Sequence, residues 1–181
     1  MKKCLVVVDY QNDFVNGSLG FERACELDTA IAERINVYRK SGDDVVFTLD
    51  THPEGYMETY EGKHLPVPHC IDGTKGHELY GNVAVAYNKD TDRVFKKGTF
   101  GSEQLFSYLK STPYDEIELC GVVTNICVIS NAVLAKTAKP ETEITVNADL
   151  CASNDLSLHK AALDVMKSFQ INVISDKAKE M

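Results

Sequence analysis

Residues 116–138 read EIELCGVVTNICVISNAVLAKTA, and the fold turns on how they are read. An apolar run of strand length, 116–122, passes into a helix over 125–138, with Thr124, Asn125 and Cys127 at the junction. The same alternation recurs in both directions. Toward the N-terminus, 4–8 (CLVVV) is rich in β-branched residues, as expected of a strand buried on both faces. It is followed by a helix over 28–41, with Asp28 as N-cap and Ile31, Ile35 and Tyr38 on one side, and by a strand over 44–50 (DVVFTLD). A short strand over 93–96 and a helix over 102–110, capped by Ser102, come next. Beyond the quoted stretch lie a strand over 143–147, a helix over 155–169 and a strand over 172–174. Strands alternating with helices predict an α/β fold: three layers, helices on both faces of a doubly wound, mainly parallel sheet.

The 181 residues suit one domain, expected over 1–181. Such a chain buries enough surface to fold without disulfide or metal staples. The formal net charge of −8 opposes phosphate backbones, so nucleic acid is not an expected partner. No apolar run reaches the roughly 18 residues of a membrane span, and Asp9 interrupts the first apolar run too early for a signal peptide. A cytoplasmic location is expected, with no membrane partner. The six cysteines form no CxxC pair and are expected as free thiols, most of them packed in the core.

Ligands of open parallel sheets bind beyond the carboxyl ends of the strands. Four successive strands here end in Asp9, Asp50-Thr51-His52, Lys96-Lys97-Gly98 and Gly121 to Cys127. A strand-end Asp is commonly a cap, and a cysteine at a helix start is commonly packing. Asp, Asp-x-His, Lys and Cys delivered to one edge make a reacting set. A thiol at a helix start is favoured as thiolate by the helix dipole and by a nearby ammonium. An aspartate can take its proton and pass it to a leaving amine. Backbone N–H groups at the helix start can hold an oxyanion. The set suits acyl transfer from an amide through a thioester.

Residues 51–88 read as a long irregular loop, holding Pro53, Pro66 and Pro68, five glycines and four of the five histidines. Long loops in compact domains are usually functional. Asp50 and His52, two apart on a strand, share a face, and His69 follows 17 residues after His52. Two histidines and a carboxylate suit a divalent metal such as zinc, iron or manganese. Glu61 and His64 are further candidates, whereas His77 and His159 read as surface residues.

Asp9-x-Gln11-Asn12-Asp13-Phe14, Asp50-Thr51-His52, His69-Cys70-x-x-Gly73-Thr74-x-Gly76, Lys97-Gly98 and Gly121-Val122-Val123-Thr124-Asn125-x-Cys127-Val128 stand in one order from residue 4 to about 150. In that pattern the chain resembles the isochorismatase-like cysteine hydrolases, most closely their nicotinamidase/pyrazinamidase branch. The resemblance implies a six-stranded sheet and assigns Cys127 as nucleophile, Asp9 as general base and acid, and Lys97 as the stabilising charge. It implies Asp50, His52 and His69 as ligands of a divalent metal, zinc first, with Glu61 as a possible fourth ligand. It implies a cis peptide between Val122 and Val123, and a substrate held by Phe14, Val122, Val123 and Phe100. The implied substrate is a small-molecule amide, nicotinamide, cleaved to nicotinate and ammonia; a homo-oligomer is expected.

Many nicotinamidases carry a tryptophan three residues before the last metal histidine. Pro66 stands there, and the chain has no tryptophan. Phe14, Tyr56, Tyr60 or Phe100 are the candidates for the aromatic wall. The rival readings are a related hydrolase of another small amide or ureide, and a binding protein on the same fold. A dinucleotide site is disfavoured, because the first turn carries no GxGxxG.

Overall fold

The computed structural model describes residues 1–175. In chain order they form β1 (Lys3–Val8), α1 (Asn12–Val15), α2 (Glu22–Cys25), α3 (Asp28–Lys40), β2 (Asp44–Asp50), α4 (Tyr60–His64) and α5 (Gly81–Ala86). There follow β3 (Arg93–Lys97), α6 (Glu103–Ser111), β4 (Glu116–Val122), α7 (Ile129–Ala138), β5 (Glu143–Ala152), α8 (Leu156–Ser168) and β6 (Asn172–Ile174). All six strands pair in parallel, in the order β3-β2-β1-β4-β5-β6. Strand order reverses between β1 and β4, so a crevice opens at their carboxyl ends. The domain expected over 1–181 is described to residue 175; 176–181 lie outside the described residues. No helix among the described residues is long and apolar enough to cross a membrane.

The pleat sends alternate strand residues to opposite cores. Val6, Val8, Leu119 and Val146 pack with Leu105, Leu109, Ala132 and Met166 from α6, α7 and α8. Leu5, Val7, Phe47 and Cys120 pack with Ile31, Ile35 and Tyr38 of α3. Gly121 closes the two central strands at the crevice. Its φ is +115°, and a Cβ there would lie 2.1 Å from the Val8 carbonyl oxygen. One buried charge crosses the α3 face. The Glu118 carboxylate accepts from Arg34 Nε at 2.9 Å, from Arg34 Nη2, from the Tyr38 hydroxyl at 2.9 Å and from Asn147 Nδ2 at 3.4 Å.

Four expectations are corrected. Asp28 does not cap its own helix, where Leu27 occupies the cap position; its carboxylate accepts from the N–H groups of Asn82 and Val83 and so caps α5. The 51–88 segment is not wholly irregular, since it contains α4, α5 and two single 3-10 turns, Tyr56–Glu58 and Lys75–His77. Strand β5 runs on to Ala152 past the polar Asn147 and Asp149, through a register irregularity opposite Leu119 and Gly121. His77 and His159 are buried, because each finds a hydroxyl partner inside, Thr51 and Thr124 respectively.

Candidate active site

Asp9 leaves β1 with a φ of +47°, turning its carboxylate into the crevice. The Thr48 hydroxyl donates to its Oδ1 at 2.6 Å, and Lys97 Nζ lies 2.6 Å from its Oδ2. Register places Lys97 beside Asp50 across the β2–β3 pair. The same ammonium lies 3.1 Å from Asp50 Oδ1, donates to the Thr99 carbonyl at 2.9 Å and sits 3.6 Å from Cys127 Sγ. Asp9, Lys97 and Cys127 are all buried. Lys96, the next residue, faces the other way and pairs with exposed Asp72 at 2.7 Å. Adjacent strand residues must diverge in this fashion.

The charges in this cluster set one another. Burial would lower the Lys97 pKa, but Asp9, Cys127 and Asp50 raise it above its ordinary value and keep the ammonium charged. Burial raises the Asp9 pKa, with the Lys97 charge opposing. Cys127 departs from the expectation of a thiolate favoured at rest. Burial and the Asp9 charge push its thiol well up, and the opposing pull of Lys97 does not reverse this. Burial thus favours the protonated form of the thiol, with the Asp9 carboxyl group beside it.

Cys127 lies in a wide turn, Thr124–Val128, that leads into α7. The peptide between Val122 and Val123 is cis, as the resemblance implied. The turn is held from three sides. His159 Nδ1 meets Thr124 Oγ1 at 2.8 Å, and the Ser153 hydroxyl donates to Asn125 Oδ1 at 2.6 Å. Buried Asn131 donates to the carbonyls of Cys127 and Phe100 at 2.8 and 3.1 Å, and accepts from the Ser102 N–H at 3.0 Å. Thr48 and Asn131 went unread in the sequence, since a single side-chain hydrogen bond leaves no spacing pattern.

Asp50, His52, Glu61 and His69 offer ligand atoms that all lie within 4.8 Å of one another. Asp50 Oδ2 is 2.9 Å from His52 Nε2 and 3.4 Å from His69 Nε2, and Glu61 Oε1 is 3.7 Å from His69 Nε2. A tetrahedral ion with bonds of ~2.0–2.1 Å sets its donors about 3.3–3.4 Å apart, so this set fits one. The His69 Nδ1–H donates to the Val67 carbonyl at 2.8 Å, which leaves the Nε2 lone pair facing the group. Gln11 braces Asp50 by accepting from its N–H at 2.8 Å and donating to its carbonyl at 2.9 Å. Burial would raise the Asp50 pKa, but His52, His69 and Lys97 together hold it below the ordinary carboxylate range. Gly62 brings Glu61 in: a Cβ there would meet the Tyr56 carbonyl oxygen at 2.1 Å. His64 is exposed and stands outside this group.

A cavity of about 190 Å³ opens onto both clusters, lined by Asp50, Glu61, His69 and Cys127 on its polar side. Phe14, Leu19, Phe21, Leu65, Phe100, Val123, Ile126 and Asn154 complete it. Drug-sized ligands need roughly 300 Å³ or more, so the space suits a single small ring. Phe14, Phe100 and Val123 line this space. Val122 does not: its side chain is buried in the α3-side core. Tyr56 is no wall either; it is buried and packs its ring on His52 and His69, at 4.7 and 5.0 Å between centroids. Phe21 adds an aromatic surface that no motif marked.

A family model for the isochorismatase domain matches residues 3–178. The chain is 35% identical over 143 residues to an uncharacterized isochorismatase family protein of Bacillus subtilis, PncA, covering 74% of this chain and 78% of that protein. The crystal structure of the nicotinamidase PncA from Bacillus subtilis superposes with a TM-score of 0.85 at 30% identity, over 96% of this chain and 99% of that one. The pyrazinamidase of Pyrococcus horikoshii in complex with zinc superposes with a TM-score of 0.83 at 25% identity, over 97% and 99%. The chain belongs to the isochorismatase family.

Proposed function

We propose that the chain hydrolyses the carboxamide of nicotinamide to nicotinate and ammonia through a thioester on Cys127. The chain is a hydrolase of amide C–N bonds, as its nicotinamidase relatives indicate. The observation that carries the substrate is that Cys127, with the buried Lys97 ammonium 3.6 Å from its Sγ and Asp9 paired to that ammonium, opens onto the same small cavity as Asp50, Glu61 and His69. Asp50, His52, Glu61 and His69 would hold a divalent ion, zinc by their donor chemistry, with iron or manganese as alternatives. Such an ion, when bound, supplies a Lewis acid for the pyridine nitrogen and so orients the ring. Phe14 and Phe100 flank the ring, and Val123 borders the carboxamide.

Asp9 accepts the thiol proton as Cys127 Sγ attacks the carboxamide carbon, and the C=O electron pair moves onto oxygen. The oxyanion faces the turn at the head of α7, on the positive side of that helix. When the carbonyl re-forms, Asp9 hands its proton to nitrogen, the C–N bond breaks and ammonia leaves. A water then loses a proton to Asp9 and attacks the thioester carbon. The C–S bond breaks, and Cys127 recovers its proton from Asp9. Lys97 stays protonated throughout and offsets the negative charge as it moves between sulfur and carboxylate.

Ammonia release over a panel of nicotinamide, pyrazinamide and small carbamoyl amides tests this reading. Nicotinamide should give the highest kcat/KM. Ammonia from the carbamoyl amides alone would replace it with the rival ureide reading.

A further inference from the structure

Beside the reaction cavity lies a second one, of about 470 Å³, between α4 and the Gly98–Thr99–Phe100 turn. The two share Glu61, Leu65, Phe100 and Ile126 as lining, so they are two lobes of one cleft. Leu65, Phe100 and Ile126 make an apolar neck, and all three are partly exposed. Beyond it the outer lobe is edged by Thr59, Tyr60, His64 and Thr99. Tyr60 and His64 stack at 4.4 Å, and the His64 Nδ1–H donates to the Tyr60 carbonyl, which leaves Nε2 as an acceptor. Gly98 floors the lobe. A Cβ at Gly98 would meet only the Thr51 carbonyl oxygen, at 3.8 Å, so a side chain there would take up space in the lobe without a clash. Among the described residues no lysine or arginine borders the lobe, whose titratable side chains are His52, Tyr60, Glu61 and His64.

We propose that the outer lobe is a substituent subsite: the enzyme accepts ring carboxamides bearing a neutral substituent as large as a second ring. The proposal rests on the amide-hydrolase reading above and extends it to the substrate's far side. The reacting ring fills the inner lobe, and its substituent passes the Leu65–Phe100–Ile126 neck to lie along the Tyr60–His64 stack. A carboxylate substituent would have to shed its water at the apolar Leu65–Phe100–Ile126 neck and is disfavoured.

The test compares kcat/KM for nicotinamide with that for its 5- and 6-methyl, 5- and 6-phenyl and 5-carboxy derivatives. The wild-type enzyme and the exposed-site variants His64→Trp, which fills the lobe, and His64→Ala, which enlarges it, are assayed together. At least one phenyl derivative should fall within about tenfold of nicotinamide, and the carboxy derivative well below it. In His64→Trp that phenyl derivative should lose at least about tenfold more than nicotinamide does, and in His64→Ala it should lose nothing. Turnover of nicotinamide with no phenyl derivative active, or equal losses for both in His64→Trp, overturns the subsite and leaves the amidase reading standing. Hydrolysis of a phenyl derivative without nicotinamide supports the subsite and overturns nicotinamide as substrate. If none is hydrolysed, both fall.

Discussion

Two carboxylates are buried in the same sheet, each beside a cation, and their surroundings differ. Glu118, in the middle of β4, is saturated by Arg34 on both oxygens, by Tyr38 and by Asn147. Asp9, at the end of β1, has Thr48 on one oxygen and Lys97 on the other, and a thiol within hydrogen-bonding reach. Arg34 reaches solvent with a third of its side chain exposed, whereas Lys97 is sealed in at 2%. Burial of a charge therefore does not mark a catalytic group. What separates the two is the neighbour: Glu118 meets only groups that hold it still, and Asp9 meets one that can give it a proton beside an open cavity.

The largest effect expected from that contrast is at Cys127. Cys127→Ala should lose about 10⁴-fold or more in kcat, as when other nucleophiles are removed, with the fold intact by circular dichroism. Full activity would leave Asp9 as buried and idle as Glu118. Lys97→Ala should lose about 10²–10³-fold, since one preorganised charge is gone. Lys96→Ala, paired only with exposed Asp72, should stay within about twofold, an exposed pair being worth little. The reverse outcome would shift the β3 register by one residue.

His52→Ala should lower both bound metal, measured by elemental analysis of protein purified without chelator, and turnover. Equal metal content in variant and wild type would dissolve the four-residue group as a ligand set. Glu118→Ala should act in the opposite sense: about 3 kcal/mol less stable in urea, at the low end for a broken buried pair because Arg34 can turn to water, with kcat/KM nearly unchanged. The smallest effect is in pH. Asp9 must be ionised to take the thiol proton, and its pKa is raised by burial. Activity should therefore fall on the acid side at a pH above the usual carboxylate range of about 4, and an acid limb at that ordinary value would argue for a solvated base.

Much of this was legible because a parallel α/β chain delivers strand ends to one rim. Asp9, Asp50, Lys97 and Cys127 could be placed together before any contact was known. The choice of Lys97 over Lys96 followed from the family resemblance, in which the lysine directly precedes the glycine, here Gly98; alternation added only that one of the two can face the rim. Other features depend on partners distant in sequence, which no local pattern encodes. Asp28 sits in its helix's first turn yet caps another helix 54 and 55 residues away, at Asn82 and Val83. His77 and His159 look solvated until Thr51 and Thr124 are seen to receive them. Val122 and Val123 are neighbours in one motif, and only the direction of each side chain assigns one to the core and one to the cavity. The thiol's raised pKa was likewise invisible, because it comes from depth of burial rather than from residue type.

The claim that Asp9 and Cys127 form a reacting pair is tested most directly by trapping the acyl group. Wild-type enzyme mixed with nicotinamide, quenched in acid within a turnover and digested should yield a nicotinoyl thioester on the peptide carrying Cys127, absent from Cys127→Ala. Ammonia released at full rate with no acyl group on that peptide would contradict the account.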